Sequence, residues 1–270
     1  MYPGISTQVF GENRLCEKHI RAIGEAGFTA AEVYGLSPHF DLLNDNEVSE
    51  AAAYFKYAGV AVSAVHVPYK TTDQATGRKR RLTPTTDDAV VLALLKSYTI
   101  AGIKAARMLR APLIVIHCGT YGDRMEGGTV SNALSFFSWL EPRLDGVKVA
   151  FENVATPVSE PYYMSYLFDI YSYDGFGVCF DAAHANFSPI GMELKGCESR
   201  IFHVHVSDND GKKDLHKIPM DGSIDWRKVM KTLREIGYDG CINFEPRGVE
   251  PPEVLMKKCR TAYDRLIALD

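Results

Sequence analysis

Positive charge is not in excess in this sequence: 30 Lys and Arg stand against 34 Asp and Glu, for a formal net charge of −4. That is not the electrostatic footprint of a protein that grips phosphate backbones, so nucleic acid is not the expected partner. Six cysteines (Cys16, Cys118, Cys179, Cys197, Cys241 and Cys259) are scattered without a C-x-x-C pair. They read as free, mostly buried thiols of a reducing compartment. The opening MYPGISTQVF has neither a charged nor an apolar leader segment. No apolar run is expected to reach the roughly 18–20 residues of a membrane span. The cytoplasm is therefore the expected location, and no membrane is expected as a partner. Neither G-x-G-x-x-G nor G-x-x-x-x-G-K-[ST] occurs, which removes the usual nucleotide-binding folds. No linker or low-complexity tract divides the chain, so residues 1–270 are expected to form one domain.

What is present is alternation. Short β-branched runs fall near residues 4–10, 30–34, 60–67, 113–118, 148–154, 177–182, 201–207 and 241–246. Amphipathic stretches lie between them. At 15–27, Leu15, Ile20, Ala22, Ile23 and Ala26 share a side, 86–109 is the longest helix candidate, and 251–268 follows Pro251-Pro252. Strands that alternate with helices imply βαβ units and a parallel sheet. Eight of them fit an α/β fold, a single (β/α)8 TIM barrel, whose active site lies at the C-terminal face of the strands. Two long polar connections, 70–88 and 207–224, would lie on that face.

The metal-capable residues fall at one place in this pattern. His66, His117, Glu152, Asp181, His205 and Glu245 each sit at the C-terminal end of a different expected strand, from the third to the eighth. Asp181 is followed by His184, and the loop after the seventh strand adds Asp214 and His216. One such residue is more often a hydrogen-bonded structural group than a ligand. Nine converging on one barrel mouth point to a metal centre, because imidazole and carboxylate are what Zn²⁺ and Mn²⁺ take. His203, two residues before His205, faces the same way one layer deeper. Glu32, at the end of the second strand, is a substrate contact or a structural ion pair. Lys212 and Arg247 are further candidate substrate contacts. Arg78-Lys79-Arg80-Arg81 is a solvated loop or a phosphate clamp, and Tyr121 and Trp226 line a pocket or simply pack.

Those residues also carry a resemblance. VSAVHVP, LIVIHCG, VAFENV, CFDAAHAN, HVSDNDGKKDLHKIPMDGSIDW and INFEP together resemble the xylose isomerase-like TIM-barrel superfamily over nearly the whole chain. That superfamily holds sugar phosphate isomerases and epimerases and endonuclease IV. Similarity to the epimerases implies one divalent ion held by Glu152, Asp181, His205 and Glu245. Similarity to the nuclease implies three zinc ions: one on His66, His117 and Glu152, one on the epimerase set, and one on His184, Asp214 and His216. The chain departs from the nuclease where a Gly-rich stretch is replaced by VATPVSEP, and where the first Gly of a Gly-x-Gly is Met220.

The leading expectation is thus a divalent-metal-dependent isomerase or epimerase, with one to three Zn or Mn ions per chain. Its substrate would be a small sugar, sugar phosphate or related polyol. Glu152 and Glu245 would move the carbon-bound proton through an enediolate. The alternative is a multi-zinc phosphoester hydrolase of the abasic-site nuclease type. A barrel that only binds a ligand is a third reading. A homo-oligomer is left open.

Overall fold

In the computed structural model, residues 1–72, 77, 79–120, 123–188 and 192–269 are described. Arg78 and Tyr121 lie outside them. Eight of the expected β-branched runs form parallel strands: β1 (Tyr2–Ser6), β2 (Ala30–Tyr34), β3 (Ala61–His66), β6 (Leu113–Cys118), β7 (Lys148–Asn153), β8 (Phe176–Asp181), β9 (Ile201–Val206) and β10 (Cys241–Phe244). The short strands β4 (Lys70–Thr72) and β5 (Lys79–Arg81) pair with each other, antiparallel, outside the barrel. The barrel closes in the order β1, β2, β3, β6, β7, β8, β9, β10 and back to β1. Each strand is buried on both faces, which is why its sequence reads as a near-continuous apolar run.

Outside the barrel lie α1 (Glu17–Glu25), α2 (Asp45–Ala58), α3 (Ala89–Leu109), α4 (Gly127–Leu140), α5 (Pro161–Ile170), α6 (Ala182–Ala185), α7 (Trp226–Glu235) and α8 (Pro252–Ile267). Their ends follow capping chemistry. Asp88 Oδ1 accepts from the backbone N–H of Val90 and Val91 at 2.9 and 3.1 Å, so α3 begins three residues later than the periodicity suggests.

Three expectations need correction. The first strand stops at Ser6, because residues 7–10 wind into a 3-10 turn whose start is capped by the Ser6 hydroxyl. The segment 70–88, expected as one long polar connection, carries the β4–β5 hairpin. Lastly, α3 is, by length and composition, long and apolar enough to cross a bilayer, with mean hydropathy 1.5. It packs on the barrel through Val91, Leu95, Thr99, Ile103 and Ala106. Gly102 permits the approach, since a Cβ there would sit 2.9 Å from Val67 Cγ2.

Alternation along each strand stacks the inward residues in layers. The layer facing the mouth contains Tyr34, His66, His117, Glu152, Asp181, His205 and Glu245. Two residues back along the same strands lie Glu32, Ala64, Val115, Ala150, Cys179, His203 and Asn243. The small residues Ala64, Ala150 and Cys179 pack with Val115 and Leu113 in a cluster of their own. The metal-capable layer therefore rests on a floor that is mostly apolar, interrupted by the carboxylate of Glu32, the imidazole of His203 and the amide of Asn243.

The loop after β9 is organised by a buried carboxylate. Asp208 Oδ1 accepts from the N–H groups of Asn209 and Ile224, and Oδ2 from Met220 N and Trp226 Nε1 at 2.9 and 2.7 Å. Its backbone also pairs with Lys217 in both directions. This hub holds the segment that carries Asp214 and His216 over the barrel mouth. Trp226 is thereby a buried packing residue, 3% exposed, and lines no cavity at the mouth.

Candidate metal centre and substrate cavity

The ligand candidates on the strands arrive at the mouth because each closes a strand whose preceding residues anchor it in the barrel wall. Glu152 is the central group. Its Oε2 lies 3.1 Å from both His66 Nε2 and His117 Nε2, and its Oε1 lies 3.0 Å from His184 Nδ1. His205 Nδ1 is flanked by Glu152 Oε2, Glu245 Oε2 and Asp181 Oδ2 at 3.6, 3.7 and 3.9 Å. On the rim, His184 Nε2 lies 3.8 Å from Asp214 Oδ2, which in turn lies 2.9 Å from His216 Nε2. All nine metal-capable residues singled out from the sequence are thus brought together.

Three imidazoles have one ring nitrogen tied down and the other turned inward. His66 Nδ1 donates to the Val67 carbonyl at 2.9 Å, and His216 Nδ1 to the Glu245 carbonyl at 2.8 Å. His205 Nε2 donates to Glu32 at 2.8 Å. A ring fixed in this way presents its remaining lone pair in a set direction, as metal-bound histidines do. Asp181 is fixed through its backbone, whose N–H and C=O bond the Asn153 side chain at 2.8 and 2.9 Å. Its Oδ1 accepts from His184 N at 2.7 Å, capping α6.

Whether these donors suit a cation can be judged from what they leave unsatisfied. Asp181 Oδ2, His184 Nδ1 and His205 Nδ1 are buried with no hydrogen-bond partner. Such orphans are costly unless something else meets them. The electrostatics agree. Burial opposes charging His66, yet its hydrogen bond to Glu152 and the nearby Glu32 push its pKa up to about 9. His184 and His205 are raised well above the ordinary imidazole value against the same burial, by Asp181 and Glu245 among others. Burial pushes Asp181 up to about 6, helped by Glu152 and Glu245. Protons are drawn in because too many carboxylates share one small space, and a divalent cation answers that excess directly. Donor triads with atoms within 4.8 Å of one another include His66–His117–Glu152, Glu152–Asp181–His184 and Asp181–His205–Glu245.

Above this cluster opens a cavity of about 330 Å³. Its wall brings in Arg81, from the basic run that the sequence left as a solvated loop or a phosphate clamp, and residues that the sequence did not announce, among them Gln8, Tyr34, Tyr69 and Thr120. Tyr69 stacks on His117 with ring centres 4.6 Å apart. Tyr34 could have been found by counting two residues on from Glu32. Gln8 could not, because it projects from the 3-10 turn that replaces the end of the expected first strand.

The three candidate substrate contacts separate. Arg247 lines the cavity. Lys212 is exposed on the loop after β9 and does not line it. Glu32 is fully buried below the cavity, with Oε2 2.8 Å from His205 Nε2 and 3.1 Å from His203 Nε2. Glu32 is not among the residues that line the cavity, so the ion-pair alternative describes its position and the substrate-contact alternative does not.

Comparison with known proteins agrees with this architecture. The family model described as xylose isomerase-like TIM barrel matches residues 20–263. The chain is 32% identical over 158 residues to uncharacterized protein y4fM of Sinorhizobium fredii, an alignment covering 53% of this chain and half the length of that relative. Among solved structures, a D-tagatose 3-epimerase-like protein aligns at 25% identity and TM-score 0.76, over 99% of this chain and 98% of that one. The IOLI protein with a bound zinc atom aligns at 16% identity and TM-score 0.81, over 99% and 98%, a likeness of fold. The closed barrel and the match over residues 20–263 place this chain in the xylose isomerase-like TIM-barrel family.

Proposed function

We propose that this protein is a divalent-metal-dependent isomerase or epimerase of a small sugar, sugar phosphate or related polyol. The observation that carries the reading is the buried, unpartnered pair His205 Nδ1 and Asp181 Oδ2, set between the carboxylates of Glu152 and Glu245. These four residues would hold the ion. A bound divalent cation supplies Lewis acidity, which polarises a carbonyl and acidifies the neighbouring C–H. One of Glu152 and Glu245 removes the proton from the carbon beside the carbonyl, leaving an enediolate. The other returns a proton to that carbon from the opposite face for epimerisation, or to its neighbour for isomerisation. Tyr69 and Tyr34, in the cavity wall, would exclude water and offer hydroxyls to the sugar. Similarity to the D-tagatose 3-epimerase-like protein supports this class.

The test is turnover of a ketohexose panel by the wild type and by Glu245→Gln, with metal content measured in both. A fall in kcat of about 10²–10⁴-fold with metal retained is expected. Unchanged turnover removes Glu245 from the chemistry.

One observation favours a second reading, a multi-zinc phosphoester hydrolase: His66 and His117 meet Glu152, and His184 and His216 each approach Asp214, around the same cavity. Elemental analysis separates the two. About one exchangeable ion per chain fits the epimerase, whereas two or three tightly held zincs would send abasic-site DNA to the assay first. No retention of that DNA at about 50 mM salt would then count against the nuclease.

A further inference from the structure

The carboxylate cluster accounts for the base of the cavity but not for the two cations in its wall. Arg81 and Arg247 both line it. The β4–β5 hairpin carries Arg81 over the mouth and lays its guanidinium on the Tyr69 ring, 5.3 Å from the ring centre. Arg247 reaches in from the segment after β10, where Nε and one terminal nitrogen donate to Gln8 Oε1 at 3.3 and 3.1 Å. Among the described residues no carboxylate lies within 4.0 Å of either guanidinium. Glu245 and Asp214 act on Arg247 only from farther away. Because Gln8 Oε1 is taken by Arg247, the amide group Nε2 is left over, and it is buried with no hydrogen-bond partner. Gln8 itself is 8% exposed and lines the same cavity.

Two guanidinium charges that no carboxylate answers share one wall with an amide donor that lacks an acceptor. A neutral sugar hydroxyl would satisfy the amide but leave the charges unanswered. An oxyanion answers all three, and arginine is suited to it because its planar fork offers paired N–H groups. Arg81 lies over the Tyr69 ring at the cavity wall, where a guanidinium can meet an oxyanion. We infer that Gln8, Arg81 and Arg247 form an anion subsite that takes a phosphate ester or carboxylate at the non-reacting end of the sugar. The inference deepens the epimerase reading, on which it rests for the sugar that links this wall to the carboxylates below.

Non-reacting polyols test it independently of turnover. Binding of D-sorbitol, D-sorbitol 6-phosphate and D-gluconate is measured by isothermal titration calorimetry on the metal-containing wild type, Arg81→Gln and Arg247→Gln, each checked for folding by circular dichroism. One charged polyol is expected to bind about 10–100-fold tighter than D-sorbitol. The phosphate arm prevailing identifies an ester substrate, and the carboxylate arm a sugar acid. Each substitution should bring the preference down by about tenfold or more. Equal binding of charged and neutral polyols overturns the subsite and leaves the epimerase reading standing. A preference that survives both substitutions also overturns it, since the anion is then held elsewhere. Arginine-dependent preference in a protein that turns over no ketose sustains the subsite and sinks the epimerase reading.

Discussion

Glu32 Oε2 lies 2.8 Å from His205 Nε2, in the layer directly beneath the ligand cluster, and His203 Nε2 approaches the same oxygen at 3.1 Å. Burial alone would raise the Glu32 pKa, but His205, His203 and His66 hold it well below the usual carboxylate range. The carboxylate thus stays an acceptor, keeps the proton of His205 on Nε2, and turns the Nδ1 lone pair toward Glu152, Asp181 and Glu245. Glu32→Gln keeps the volume but replaces an anion with a neutral amide that can offer N–H. The orientation of His205 is then no longer imposed. Affinity for Zn²⁺ or Mn²⁺ should fall about 10–100-fold. Competition against a chromophoric chelator measures it, and an unchanged Kd would confine Glu32 to packing.

Filling the cluster should also stabilise the fold. Glu152, Asp181 and Glu245 crowd His205 Nδ1, and a cation that binds only the native state shifts unfolding by mass action. At a free metal concentration 100 times Kd the gain is about 2.7 kcal/mol. For a chain of this size that corresponds to a Tm rise of roughly 5–10 °C. Differential scanning fluorimetry, with chelator and then with added Mn²⁺ or Zn²⁺, reads the shift. Asp181→Asn should reduce it by more than half, because one ligand and one charge are lost.

Gly222 is required by space. A Cβ there would lie 2.2 Å from Asp208 Oδ1 and 2.3 Å from the Asn209 carbonyl, so Ala cannot enter without displacing the hub of the loop after β9. Two residues earlier, Met220 keeps a φ of +80°, held by the bond from its N–H to Asp208 Oδ2. Gly222→Ala should cost about 1–3 kcal/mol in urea unfolding, as overpacking does. Asp214 and His216 ride on the same loop, so the substitution should weaken metal binding as well. Wild-type stability in this variant would mean that the hub yields without loss.

The barrel was legible because eight apolar runs and their spacing leave few other closed arrangements. Six of the metal-capable residues were legible for a related reason: a carboxylate or imidazole ending an apolar strand is costly unless it is used. Glu32 was ambiguous, because strand-end position does not tell a mouth residue from one a layer below. The local bulge between Ala31 and Glu32 shifts the β2–β3 register, a detail periodicity does not show. Lys212 was misplaced because a loop sequence says nothing about which way its side chains face. Gln8 and Tyr69 went unseen because they reach the cavity from a 3-10 turn and from the segment after β3, neither of which follows the strand–helix alternation. Arg81 was left between a solvated loop and a phosphate clamp because the sequence does not show the hairpin that carries it.

His39 gives the fold a dependence on pH that is separate from the metal centre. It is 1% exposed, with Nδ1 2.6 Å from the Asn13 carbonyl and Nε2 3.0 Å from Thr7 Oγ1. Nδ1–H donates to the carbonyl, and Nε2 can accept from the hydroxyl, whose oxygen in turn accepts from Tyr34 N at 2.9 Å. That arrangement suits a neutral ring. Burial lowers its pKa from 6.5 to about 4, against the bond to Asn13, which raises it. The unfolded chain therefore binds a proton on this residue over a range where the folded chain does not, and stability rises with pH there. The contribution is fully present above about pH 6.5 and is lost progressively as the pH falls through about 4. A shift of that size is worth about 3 kcal/mol. His39→Asn can still donate to Asn13 but does not titrate. Urea unfolding at pH 7.5 and at pH 4.5, in chelator so that metal release does not contribute, should show the wild type losing about 2–3 kcal/mol more than the variant. Equal losses in the two proteins would place the acid sensitivity elsewhere, in the carboxylates and imidazoles of the barrel mouth.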